Sequence, residues 1–146
     1  MKHEKLQQIS SKSTRYMRLC WLFFSLLIFL LGCIVFLISF EIDDFNFIGP
    51  LLLCCIALAI MAVIFGRLEA KQYHIAQTYF ILKVMDLINE FGISSDDFEI
   101  IQETTGIYWI GFHNQTVDYD KLQNAVDNEL IAMNKIMKSN IRVNLI

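Results

Sequence analysis

Two long apolar runs dominate the pattern of hydrophobic and polar positions along the chain. From Leu19 to Phe40, and again from Phe47 to Gly66, no Asp, Glu, Lys, Arg or His occurs. A helix rises about 1.5 Å per residue, so each run is long enough to cross a hydrocarbon core of about 30 Å. Only the six residues EIDDFN separate the runs. Residues 17–66 are therefore predicted to form a transmembrane helical hairpin, with spans at about 19–40 and 47–66.

Small residues recur on one side of each predicted span. In the first span they are spaced by seven, and in the second by three or four: Ser25, Gly32 and Ser39, then Cys55, Ala59, Ala62 and Gly66. Helices in lipid approach closely through such stripes, because dispersion contacts drive their association. We expect the two stripes to form the seam of the hairpin. Bulky side chains such as Phe23 and Phe29 are expected to face lipid or another subunit.

After Gly66 the pattern becomes that of an amphipathic helix over residues 67–91. Its apolar stripe has 3–4 spacing and is wider than a lone surface helix needs: Tyr73, Ala76, Phe80, Val84, Leu87 and Phe91. Gly92 is placed to end this helix, with Ile93 as the hydrophobic residue that follows a helix C-terminus. The second span and this helix can run on as one.

The period then changes to that of short strands. Residues 98–103 and 107–112 are rich in β-formers, and Thr105-Gly106 lies between them, which predicts a β-hairpin. In the second strand Ile107 and Trp109 share one face, whereas Tyr108, Ile110 and Phe112 share the other. Both faces are apolar, so we expect this strand to be central and covered on both sides.

A second amphipathic helix is predicted from about residue 119 to 138, with Asp118 as its N-cap. Its buried stripe is expected to comprise Leu122, Val126, Leu130, Met133 and Met137. Ile141, Val143 and Leu145 then alternate with polar residues as a final strand. Residues 67–146 are thus predicted to form a small cytoplasmic α+β domain, α-β-β-α-β, with a three-stranded sheet.

The charges predict how the hairpin is oriented. Residues 1–16 are expected to form a mobile, basic juxtamembrane arm, and the basic residues before the first span are Lys2, Lys5, Lys12, Arg15 and Arg18. The loop between the spans has none. By the positive-inside rule both termini are cytoplasmic, and we expect an integral protein of a bacterial inner membrane.

The four cysteines are Cys20, Cys33, Cys54 and Cys55, and all lie in the apolar runs. We expect them to behave as small, buried hydrophobic residues. None lies in the tail, which indicates a reducing compartment. The tetrapeptide Leu30-Leu31-Gly32-Cys33 leaves open an alternative, cleavage and lipidation at Cys33. The long polar start and the apolar residues after Cys33 oppose it.

The sequence carries no strong signal for chemistry. His113 and Asn114, with Asp118 and Asp120 nearby, are the nearest thing to a polar cluster, and they lack a second His or Cys at ligand spacing. We therefore predict no catalytic residue, no metal and no cofactor. The tail has no basic stripe, so nucleic acid is not expected as a partner.

The sequence is compatible with three functions. The first is a non-enzymatic interaction or assembly subunit of the membrane, forming a homo-oligomer or joining other subunits. Its predicted interaction surface comprises Phe80, Tyr108, Trp109 and Phe112, because helices packed on one face of the sheet would leave an apolar patch on the other. The alternative is a membrane-perturbing or pore-forming effector whose hairpin oligomerises under control of the tail. An enzyme ranks last, since 80 residues without converging polar groups leave little room for a pocket.

Overall fold

The computed structural model describes residues 2–41, 44–113 and 118–146. Its elements are α1 (Glu4–Ser39), α2 (Phe45–Glu90), a 3-10 turn (Ser95–Asp97), β1 (Phe98–Thr104), β2 (Ile107–Phe112), α3 (Tyr119–Met137) and β3 (Arg142–Leu145). The chain divides into two compact units. One comprises Met1–Ser10 with Tyr73–Ile146, and the other comprises Ser11–Gln72.

The helical unit contains the two apolar segments as parts of α1 and α2. Both helices are long and apolar enough to cross a membrane. Phe23 stacks on Phe65, with ring centroids 5.5 Å apart and planes 8° from parallel. The less exposed positions of α1 include a run in steps of three and four: Ser13, Tyr16, Cys20, Phe23, Leu27, Leu30, Ile34 and Leu37. This heptad spacing is the one that lets a helix keep a single stripe against an antiparallel neighbour.

The predicted continuity of the second span with the following helix is confirmed, because α2 runs unbroken from Phe45 to Glu90. At its start, the Asp44 carboxylate accepts from the Asn46 N–H, and the Asp44 carbonyl accepts from the Ile48 N–H. At its end, Gly92 has φ +85° and Ile93 is buried, which is the C-terminal arrangement expected from the sequence.

The start of the chain differs from the mobile arm that we expected. Residues from Glu4 onward belong to α1, and Leu6 is fully buried (0% exposed). Leu6 and Ile9 join the same core cluster as residues of α2, α3 and the sheet. Their apolar side chains, one helical turn apart, supply a strip of core that residues 73–146 do not contain by themselves.

The sheet has the strand order β1-β2-β3, so the prediction that β2 is central is confirmed. β1 and β2 are antiparallel, with a bulge at Ile101 between Ile100 and Gln102, and β2 and β3 are parallel. The turn between β1 and β2 places Thr105 and Gly106 at positive φ (37° and 81°), the backbone that a two-residue hairpin turn requires.

The core of this unit lies on one face of the sheet. Tyr108 and Ile110 of β2 are buried there with Val143 of β3. Helices α2 and α3 contribute these core residues: Ala76, Phe80, Val84 and Ile88, then Leu122, Val126, Leu130 and Met133.

The predicted N-cap of α3 is confirmed, because the Asp118 carboxylate accepts from the Lys121 N–H.

Asn134 fixes the turn from α3 into β3. Its side-chain amide donates to the Ile141 carbonyl at 2.8 Å, and its side-chain oxygen accepts from the Ile141 N–H and from the Ser139 hydroxyl. These bonds satisfy both backbone groups of Ile141, which lies beyond the end of α3. They set Ile141 into the core at the start of the last strand.

Candidate interaction surfaces

One face of the sheet is not covered by the helices of its unit. On β2, Trp109 (36% exposed) and Ile107 point away from the core face, as their alternation with Tyr108 and Ile110 requires. The Ile101 side chain (58% exposed) occupies the space beside Gly111 where a Cβ would lie. Ile146, next to β3, is also exposed. We call Ile101, Ile107, Trp109 and Ile146 the open face.

The expectation that β2 is covered on both sides is therefore wrong. The helices lie on one side because their apolar stripes, Phe80 on α2 and Val126 on α3, belong to one cluster with Tyr108 and Ile110. No described element (residues 2–41, 44–113 and 118–146) supplies core residues against Trp109. The bulge helps to make this asymmetry, since it places Ile101 over Gly111.

The predicted interaction surface is divided between the two faces. Phe80 is fully buried (0% exposed) and Tyr108 is buried beside it in the core, so neither is available to a partner. Phe112 is half-buried, and its ring centroid lies 5.6 Å from that of Tyr119 in an edge-to-face contact. Of the four residues, only Trp109 belongs to the open face. The stripe on α2 predicts that Phe80 is buried, but it does not show that residues of the same chain bury it.

The predicted seam of the hairpin is also divided. On α1, Ser25, Gly32 and Ser39 are exposed, and nothing lies within 4 Å of a Cβ added at Gly32. The hydroxyls of Ser25 and Ser39 bond to carbonyls of their own helix. The prediction for the first span is therefore wrong, because larger residues at 3–4 spacing, Phe23 among them, take the covered side.

The predicted stripe of the second span agrees better with the structure. Cys55 is buried, and Ala59, Ala62 and Gly66 are all partly covered. The Cys20 thiol donates to the Ala62 carbonyl at 3.4 Å and lies 3.7 Å from a Cβ built at Gly66. The small residues of α2 thus face α1, but their neighbour there is Cys20 and not the predicted stripe of Ser25, Gly32 and Ser39.

The two outer edges of the sheet differ. On β3, the Gln123 amide donates to the Val143 carbonyl at 2.9 Å, and its oxygen accepts from the Leu145 N–H at 3.0 Å. This side chain of α3 therefore closes the β3 edge. β1 pairs with β2 alone within the described sheet, and all its residues after Phe98 are exposed.

A groove runs beside the free edge of β1. It has a volume of about 290 Å³ and is lined by these residues of α2 and the sheet: His74, Gln77, Thr78, Ile81, Leu82, Ile100, Glu103 and Tyr108. Burial raises the pKa of the Tyr108 phenol to about 12, and the Glu103 carboxylate beside it adds to the shift. Leu82 and Ile100 are exposed at its walls.

His3 is a buried polar residue that the sequence did not single out. Its Nδ1 lies 2.9 Å from the Tyr79 hydroxyl, and its Nε2 lies 2.7 Å from a Glu129 carboxylate oxygen, close but not aligned as a hydrogen bond. Lys2 reaches the other oxygen of Glu129 at 3.1 Å. Both ring nitrogens thus have a protein neighbour, and the cluster ties the start of the chain to α2 and α3.

The polar cluster considered in the sequence gives no site in the described structure. His113 lies 3.4 Å from Glu99, and both side chains are mostly exposed. Asn114 lies outside the described residues, and Asp118 caps α3. Among residues 2–41, 44–113 and 118–146, no three His, Cys, Asp or Glu side chains are placed to hold a metal ion.

No protein-family model, no curated protein and no solved structure matches this chain.

Proposed function

We propose that this chain is a small integral membrane protein that acts as a non-enzymatic interaction or assembly subunit. The apolar parts of α1 and α2 form its membrane hairpin. The membrane is a bacterial inner membrane, and both termini lie on its cytoplasmic side. The unit built on the sheet docks on a second copy of the chain or on another protein subunit of the membrane.

The open face is the observation that carries this proposal. Large exposed apolar patches mark interaction sites, and the four apolar side chains of the open face lie on one uncovered side of the sheet. Trp109 lies in the middle strand of this face, where an aromatic side chain contributes most to an interface. Trp109 shares this face with Ile101, Ile107 and Ile146, and its directly opposed neighbours are Gln102 and Asn144. An exposed aromatic side chain among apolar and uncharged polar residues, on a face whose reverse side forms the core, fits a docking surface better than a catalytic pocket.

The common side of the two termini is supported by the core. Leu6 and Ile9, which precede the first apolar segment, share a cluster with Val126 and Val143, which follow the second. If the hairpin crosses a bilayer, these residues must be on the same side of it. The five basic residues from Lys2 to Arg18 favour the cytoplasmic side for these residues.

The test is self-association of the full-length protein in phosphatidylcholine nanodiscs and mild detergent, with mass measured by light scattering across concentration. We expect Trp109→Ala to lower the oligomeric mass while thermal stability stays within about 1 kcal/mol. Trp21→Ala is the matched control, because Trp21 is also exposed (63%) but belongs to the helical unit. It should leave association unchanged.

Other outcomes separate the candidates. A wild-type monomer whose Trp109 becomes protected only in native membranes would assign the open face to a different subunit. Association that Trp21→Ala abolishes and Trp109→Ala spares would contradict docking through the sheet. Dye release from vesicles on addition of the protein, unaffected by Trp109→Ala, would favour the membrane-perturbing alternative instead.

A further inference from the structure

The free edge of β1 and the groove beside it form a second surface, distinct from the open face. The groove lies on the core side of the sheet, between β1 and the exposed side of α2. A strand at a sheet edge presents unpaired N–H and C=O groups in a row, which an extended peptide can pair with. The β3 edge lacks this capacity, since Gln123 already occupies it.

The groove provides places for the side chains of such a strand. Ile81, Leu82 and Ile100 supply apolar walls, while the Glu103 carboxylate lies on the same side. Alternate residues of an added strand would face these walls, because side chains of a strand point to one face at every second position. The groove therefore suits apolar side chains flanking one positively charged side chain.

The charge of this part of the chain selects the partner. β1 carries the carboxylates Glu99 and Glu103 and no Lys or Arg, and Glu103 lines the groove. A second copy of β1 would bring its own Glu99 and Glu103 to the edge, and like charges across paired strands are unfavourable. The bulge at Ile101 limits the regular part of the edge, so a short segment fits better than a long one.

We infer that β1 and the groove beside it bind a short, extended, basic segment of another protein by strand addition. This inference rests on the proposed function, since it names the kind of partner that the interaction subunit takes. The partner strand places apolar side chains against Leu82 and Ile100, and a lysine or arginine against Glu103. Binding here leaves the open face free.

The test uses the full-length protein in phosphatidylcholine nanodiscs and a fluorescent synthetic peptide. The peptide has threonine at every second position, with valine and lysine alternating at the others, and empty nanodiscs give the background. We expect saturable binding that weakens as salt is raised. The same peptide with glutamate in place of lysine should not bind.

Backbone methylation separates strand addition from loose electrostatic binding. Alternate N–H groups of a strand point toward and away from its neighbour. One peptide is N-methylated at its threonines and a second at its valines and lysines. We expect one of the two to bind and the other to fail. Binding of both would show that no strand is added and would overturn the inference.

Variants of the protein locate the site. Glu103→Gln should weaken peptide binding about two- to fivefold, the range of one exposed ion pair. Glu41→Gln, a matched loss of an exposed carboxylate elsewhere, should not. Leu82→Ser should also weaken binding and leave thermal stability unchanged. Equal binding by Glu103→Gln, Leu82→Ser and wild type would overturn the assignment of the groove.

The two proposals fail in different ways. If no peptide binds while association still depends on Trp109, the strand-addition inference is overturned and the proposed function stands. If the peptide binds but Trp109→Ala has no effect on association or on protection in membranes, the open face loses its role. The groove then remains as the interaction site.

Discussion

The two faces of β2 are both apolar, yet only one of them is covered by helices. Tyr108 and Ile110 are closed into a core by α2, α3 and the first turns of α1, whereas Ile107 and Trp109 remain exposed. Residue type does not distinguish them, since each face of β2 carries isoleucine and at least one aromatic: Tyr108, Ile110 and Phe112 on one, Ile107 and Trp109 on the other. The number of covering helices does, because the unit has enough apolar helix surface for one side only.

The largest difference between the faces should appear in stability. Phe80→Ala removes a fully buried ring from the covered face and should cost about 3–5 kcal/mol of unfolding free energy. Trp109→Ala should cost less than about 1 kcal/mol. Thermal denaturation of both full-length variants in detergent measures the contrast. Equal losses would mean that Trp109 is also a core residue.

The start of the chain should behave as part of the covered face. Leu6→Ala removes a fully buried side chain and should destabilise the sheet unit by about 2–5 kcal/mol. Ile131→Ala, an exposed apolar residue on α3, is the matched control and should have little effect. Hydrogen exchange of the β2 amides reports the result. If hydrogen exchange is unchanged in Leu6→Ala, the start of the chain is not part of the core and the expectation of a mobile arm is supported.

Alkaline pH should loosen the covered face through Tyr108. An exposed tyrosine has a pKa of about 10, and the folded value is about 12, so the folded state holds this proton more tightly. Its contribution to stability is complete below about pH 10 and is lost as the pH rises through 12. We expect a fall of up to about 3 kcal/mol across this window.

Tyr108→Phe is the control for that titration, because it keeps the ring and removes the ionisable hydroxyl. Its unfolding free energy, measured by denaturant titration at each pH, should change less between pH 10 and 12 than that of the wild type. Parallel pH curves for the two proteins would show that another group causes the alkaline loss.

The smallest expected effect extends the contrast of covered and open surfaces to the helical unit. A Cβ at Gly66 would lie 3.7 Å from the Cys20 sulfur, whereas at Gly32 it would meet nothing within 4 Å. Gly66→Leu should therefore overpack the helix pair at a cost of about 1–3 kcal/mol. Gly32→Leu, with the same gain in helix propensity, should be neutral or stabilising. Denaturation of the full-length protein in detergent gives both values.

Much of the fold could be predicted because local signals determine it. The lengths of the apolar runs predict the apolar parts of α1 and α2, and Gly92, Thr105-Gly106 and Asp118 predict where elements end or begin. Each of these depends on a backbone preference or on a cap within a few residues. The order of helices and strands follows from the change of period along the chain.

The surfaces could be predicted only in part, because tertiary contacts choose between chemically similar sides. In α1 almost every side is apolar, so Ser25, Gly32 and Ser39 looked as suitable for a seam as the run through Cys20 and Phe23. Leu6 and Ile9 continue the 3–4 spacing of that run toward the N-terminus, which was the signal for the longer helix. Leu6 and Ile9 stand among polar residues, and two such positions are too few to indicate a core.

The most direct test of the interface at the open face is the reactivity of Ile107→Cys with a charged maleimide. The variant is made in a background with the four native cysteines replaced by alanine, and Ile131→Cys on the exposed side of α3 is the control. We predict that Ile107→Cys reacts slowly in permeabilised native membranes and quickly in purified monomer, while Ile131→Cys reacts quickly in both. Equal, rapid reaction of Ile107→Cys in membranes and in monomer would show that nothing covers the open face, contradicting its role as an interface.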